Sequence, residues 1–134
     1  MSRNGLYWVD KIWLQENENI MQNEAAHVSI IHGVSVTTKQ DLIRVLSESF
    51  LFPDSIGQVD YVTSIELLQD LTWIKKSGII LVIYEYGEFL SAEPSLKGEF
   101  ESDLERLIQW WTEDVVGHMV AGFPRPFQVY LEVE

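Results

Sequence analysis

Between Phe50 and Ile74 the sequence reads FLFPDSIGQVDYVTSIELLQDLTWI, and its charged side chains are all acids: Asp54, Asp60, Glu66 and Asp70. Glu66 and Asp70 are four apart, hence neighbours on a helix, and neither has a lysine or arginine three or four positions away. Like charges so placed cost about 0.2–0.5 kcal/mol. Carboxylates in this setting can hold a metal, move protons or meet a basic surface. The first use lacks its pattern: the acids from Asp54 to Asp60 do not alternate as in a calcium loop, and His27, His32 and His118 are scattered without ligand spacing. The second lacks its partners, since no glycine-rich phosphate loop follows a strand, no serine sits in a nucleophile elbow and there is no cysteine. No enzymatic activity, metal or cofactor is therefore expected. A basic partner would relieve the repulsion. The plainer alternative is a solvated helix face, with Asp54 and Asp60 serving only as turn and cap residues.

Composition points the same way. With 21 acidic against 9 basic residues the net charge is −12, a field that repels nucleic acid and anionic lipid and attracts basic proteins. Direct nucleic-acid binding and membrane association are thus not expected. No apolar run approaches the roughly 20 residues of a membrane span, and the absence of cysteine fits a reducing compartment, so the cytoplasm is the expected location. A chain of 134 residues, 46% of them hydrophobic, suits one domain with a real core.

The elements that must position the acids read as α/β. Leu6–Leu14 is β-prone and aromatic and predicts a strand or hairpin in an N-terminal extension, residues 1–26, packed on a main domain of residues 27–134. Trp8 and Trp13 are expected there as core or sheet-edge cover. His27–Ile31 predicts a first core strand, and Thr37 or Thr38 caps a helix with apolar positions Leu42, Val45, Leu46 and Phe50. After the Pro53 and Gly57 breaks, Asp60 caps a second helix of about three turns, buried along Ile65, Leu68 and Leu71. Gly78–Tyr86 is an almost unbroken apolar run, the pattern of a strand covered on both faces. A helix over Ser95–Val115 buries Phe100, Leu104, Leu107, Ile108, Trp111 and Val115, and Pro126–Val133 predicts a last strand. The sum is a small, mostly parallel sheet of three strands with packed helices, plus the N-terminal strand or hairpin.

In this order of elements, HVSIIHGVSVTTKQDLIRVLSESFLFPDSIG, then LLQDLTWI, GIILVIYEY, a long helix ending at paired tryptophans and PFQVYLEV, the chain resembles the barstar-like family of barnase inhibitors over His27–Glu134. The resemblance implies an immunity protein of bacterial type that occludes the active site of a basic ribonuclease toxin, one to one. It places Pro53 and Gly57 in the inhibitory loop, with Asp54, Ser55 and Ile56 between them. It sets Glu66 opposite the family's central inhibitory aspartate, and Asp60 and Tyr61 on its Asn-Trp. Asp70 extends the same face. Val62 stands where the family usually has another aspartate, Ser55 where barstar has an aromatic, and one extra residue follows Gly57. These departures argue against tight inhibition of barnase itself. Trp110 shares a side of the last helix with Asp103, Arg106, Glu113 and Asp114, and is expected to be a partly exposed anchor of the same interface. The competing class is a non-catalytic docking or self-association module that uses the acidic face and the aromatic N-terminus.

Overall fold

The computed structural model describes residues 5–114 and 126–133; the expectations placed on Val115, His118 and the side chains of Ile56, Glu113 and Asp114 lie outside that description. Four strands, β1 (Gly5–Val9), β2 (Ala26–His32), β3 (Gly78–Tyr84) and β4 (Phe127–Glu132), form one parallel sheet in the order β1-β4-β3-β2. Among the described residues four α-helices accompany them, α1 (Lys11–Glu16), α2 (Lys39–Ser49), α3 (Tyr61–Leu68) and α4 (Pro94–Gln109), the last continued by a wider turn over Trp110–Asp114. The expected three-stranded core is present as β2, β3 and β4. The N-terminal strand adds a fourth member, with Tyr7 opposite Tyr130.

No second hairpin arm follows it. Asp10 accepts a hydrogen bond from the Trp13 N–H at 2.7 Å and starts α1, so a local cap overrides the β-propensity of Ile12 and Trp13. That helix and the turn after it give the sheet its second cover. Along β3 every residue from Ile79 to Ile83 is buried, and the period of two splits them between two clusters. Ile79, Leu81 and Ile83 meet Leu42, Leu46, Leu68 and Phe100 from α2, α3 and α4. Ile80 and Val82 meet Val9, Leu14 and Tyr130, with Trp13 stacked on Tyr130 at 5.3 Å. Each such fully buried aliphatic side chain contributes about 1.5–3 kcal/mol. Trp8 lies edge-on to Tyr86 and stays half exposed. Among the described residues no helix is long and apolar enough to cross a membrane.

Close approach at the end of the sheet requires Gly33: a Cβ there would lie 2.6 Å from the Tyr84 carbonyl oxygen and would also strike that of Glu85.

Helix α2 begins with a reciprocal cap. The Thr38 hydroxyl accepts from the Asp41 N–H at 3.3 Å, while the Asp41 carboxylate accepts from the N–H groups of Thr37 and Thr38. The Thr37 N–H contributes most, and with these bonds and Arg44 the Asp41 carboxyl titrates at about 2, below its ordinary 3.8. A depressed carboxyl stabilises the fold above the unfolded-state value, and the contribution disappears as pH falls through the folded-state value. Stability measured by denaturant should therefore decline between 3.8 and about 2, and Asp41→Asn should flatten that part of the profile.

The end of α2 is less economical. Phe52 N–H bonds the Ser47 carbonyl at 3.0 Å, closing a Schellman turn in which Leu51 occupies the left-handed position with φ 56°. Glycine is the usual residue there, and Leu51 is 60% exposed, so its side chain gains little from the core. Leu51→Gly should raise stability by roughly 0.5–1 kcal/mol, the relieved strain exceeding the added freedom of the unfolded chain. A lowered melting temperature would show that the leucine packs usefully.

Candidate functional site

The acidic segment leaves α2 through a loop with its own supports. Trp73 donates its indole N–H to the Phe50 carbonyl at 2.8 Å and meets the Phe52 ring edge-on. Behind it, the Ser29 hydroxyl and His27 Nε2 both bond the Ser49 carbonyl, so the last carbonyls of α2 are satisfied from β2 and the loop. Pro53 is extended, Asp54–Ile56 make one 3-10 turn, and Gly57 (φ 77°, ψ −146°) takes a conformation that side-chain-bearing residues avoid. Asp54, Ser55 and Gly57 are exposed on this loop.

Helix α3 starts where Asp60 accepts the Thr63 N–H at 2.8 Å; that bond holds the Asp60 carboxyl below its ordinary range, hence ionised at neutral pH. The cap expected of Asp60 is thus formed. Within the helix, Tyr61, Ser64 and Leu68 are buried while Val62 and Glu66, four apart, are exposed on one face. Val62 is 63% exposed, so it does not rotate into the core.

Two expectations are corrected here. The helix spans eight residues, Tyr61–Leu68, instead of about three turns, and Asp70 lies in the turn beyond its C-cap. The chain leaves the helix because Leu71 is left-handed (φ 53°) and because the final carbonyls are taken from outside: Trp111 donates to the Leu68 oxygen and Trp110 to the Gln69 oxygen, each at 3.0 Å. Trp110 is half-buried, as expected, and Trp111 is buried.

The second correction concerns Tyr61 and Asp103. The Tyr61 ring is buried rather than presented, and its hydroxyl donates to Asp103 Oδ2 at 2.5 Å. Asp103, placed by the sequence on the outward side of α4, is buried between that hydroxyl and Arg106, which is ion-paired to it. Burial, then the hydrogen bond to Asp103, pushes the Tyr61 phenol above its usual range and keeps it a neutral donor. So α4 and the turn after it hold α3 at both ends, through Asp103 at the first turn and the two tryptophans at the last.

What this mounting presents is unpaired negative charge. Among the described residues the ion pairs are Arg44–Asp41 and Arg106–Asp103, and none involves Asp54, Asp60, Glu66 or Asp70. Glu66 and Asp70 also lie at the carbonyl end of α3, which has no basic residue in its last turn, so the helix dipole opposes both. Beside the loop, an open groove of about 930 Å³ runs between α2 and the start of α3, lined by Lys39, Ile43, Arg44, Asp60 and Val62. An exposed carboxylate row flanked by a groove can accept cationic side chains or substitute for the phosphates of a polyanion.

The fold is thus a parallel α/β sheet that carries an exposed acidic loop and helix. The family model of barstar, the barnase inhibitor, matches residues 26–132, and the chain belongs to that family. No curated protein and no solved structure matches it.

The positioning residues, Asp103 above all, escaped the sequence reading. Its partner Tyr61 is 42 positions away, and no periodic signal links the two.

Proposed function

We propose that this chain is the immunity partner of a ribonuclease toxin in a bacterial cytoplasm, and that it occludes the toxin's active site in a 1:1 complex. The observation that carries this reading is the set of exposed carboxylates without ion pairs on the loop and around α3, with Glu66 and Asp70 opposed by the helix dipole, on a helix secured at both ends. Asp54 on the loop, Asp60 at the cap of α3, Glu66 on the helix and Asp70 in the turn after it take the places that RNA phosphates occupy against the enzyme's cations, with Ser55, Ile56 and Gly57 supplying backbone contacts. Tyr61 and Trp110 act chiefly by holding the helix. Inhibition is steric and electrostatic, without cofactor or catalysis. Because Val62 and Ser55 depart from the family's acidic and aromatic positions, the cognate enzyme differs from barnase in its contact surface.

The test is to read the genes adjacent to this one for a ribonuclease, co-express its product with this chain, and follow co-purification and RNA hydrolysis. A stable 1:1 complex without hydrolysis supports the proposal; a free nuclease of undiminished activity rejects it. Charge makes a kinetic prediction as well. With net −12 steering encounter, the association rate should fall steeply between low and physiological salt while dissociation changes little. Salt-independent association in stopped flow would argue against steering.

A further inference from the structure

The carboxyl ends of the parallel strands converge on a cavity that the acidic loop does not touch. His32 ends β2, Tyr84 ends β3 and is followed by Glu85, and Glu132 ends β4; all four line a cavity of about 420 Å³ that α1 and the turn after it close from the other side. Ligands of open parallel sheets bind at this place, outside the carboxyl ends of the strands, and the volume suits a small molecule.

Its chemistry is specific. Glu132 is 94% buried by its 6% exposure, and its Oε1 accepts the Glu85 N–H at 2.9 Å, while Oε2 has no hydrogen-bond partner among the described residues. That oxygen is open to the cavity instead of sealed in the protein, so it can accept a charge-assisted hydrogen bond from a cation that enters. Lys11 lines the same cavity yet forms no ion pair, the pairs among the described residues being Arg44–Asp41 and Arg106–Asp103. Glu18 and Glu85 add two more carboxylates, so the lining carries three negative charges against one positive. The Tyr84 ring, stacked on His32 at 5.4 Å with its hydroxyl on Met21 Sδ, supplies a fixed aromatic wall, and Leu14 and Met21 supply apolar surface. Among the described residues no three His, Asp or Glu side chains are placed to hold a metal ion, and a carboxylate beside aromatic and apolar walls matches an organic cation with an aliphatic stem.

We propose that this cavity binds a small aliphatic amine or diamine, its ammonium on Glu132 and its methylene stem against Tyr84, Leu14 and Met21. The site is independent of the nuclease-binding face.

Calorimetry and thermal shift with putrescine, against 1,4-butanediol and sodium chloride at matched ionic strength, test the assignment on the whole chain. The expected result is saturable 1:1 binding and a raised melting temperature with putrescine alone. Glu132→Gln, which keeps an acceptor for the Glu85 N–H, should weaken binding at least about tenfold, as loss of a charged hydrogen bond does. Should that variant fail to fold, exposed Glu18→Gln decides, with a smaller loss expected. Glu105→Gln on the outer face of α4 removes an equal charge and should change nothing. An equal response to butanediol, an equal loss in Glu105→Gln, or full affinity in the Glu132 and Glu18 variants would overturn the proposal. Lys11→Ala should tighten binding; weakened binding would make the lysine part of the site and remove the case for a free cation.

Discussion

Replacing Glu66 by alanine should weaken nuclease inhibition on the order of 2–5 kcal/mol while leaving the free protein as stable as before or slightly more so. The two effects have separate origins. In the free chain Glu66 is exposed, makes no ion pair among the described residues and sits at the negative end of α3, so its removal relieves about 0.3–1 kcal/mol of dipole repulsion and introduces the best helix former. In the complex its loss leaves a cation of the enzyme's active site desolvated and unpaired, which is what makes truncation of such pairs costly. Denaturant melts and inhibition titrations of the one variant measure both quantities. Wild-type inhibition by Glu66→Ala together with failure of Asp60→Ala would move the central carboxylate to the start of the helix. Val62→Ala, at an exposed position, should leave the melting temperature nearly unchanged.

The second large effect comes from a residue that touches no partner. Asp103→Ala should destabilise the fold by about 1–3 kcal/mol, because it strands the buried Tyr61 hydroxyl and frees Arg106. It should also weaken inhibition beyond the loss of folded protein, since the first turn of α3 and the Asp60 cap are then held to α4 by packing alone. Tyr61→Phe should repeat the binding defect, and the double variant should be much less than additive, since both remove one interaction. Additive losses would mean that each residue acts separately.

Much of this mounting was legible in the chain. Thr38 and Asp60 could be read as caps because a cap is a side chain meeting backbone three residues on, and the unbroken run Ile79–Ile83 announced a strand covered twice. The cover itself was harder to see: Asp10 begins a six-residue helix inside a segment whose Ile12 and Trp13 favour strand, and the cap was the signal passed over. The end of α3 was not legible at all, because Leu68 and Gln69 give no stop signal of their own; the tryptophans that take their carbonyls lie more than 40 positions away. Asp103 misled for the same reason. A charged residue in a helix is assigned to water unless a distant hydroxyl is known to meet it.

Titration of the co-purifying ribonuclease with this protein, followed by RNA hydrolysis, tests the central claim most directly. If the carboxylate row occupies the phosphate sites, activity should fall linearly and vanish at one equivalent, and a short non-hydrolysable oligonucleotide should compete with the inhibitor for the enzyme. A complex that forms while hydrolysis continues at saturation, or that is indifferent to the oligonucleotide, would contradict it.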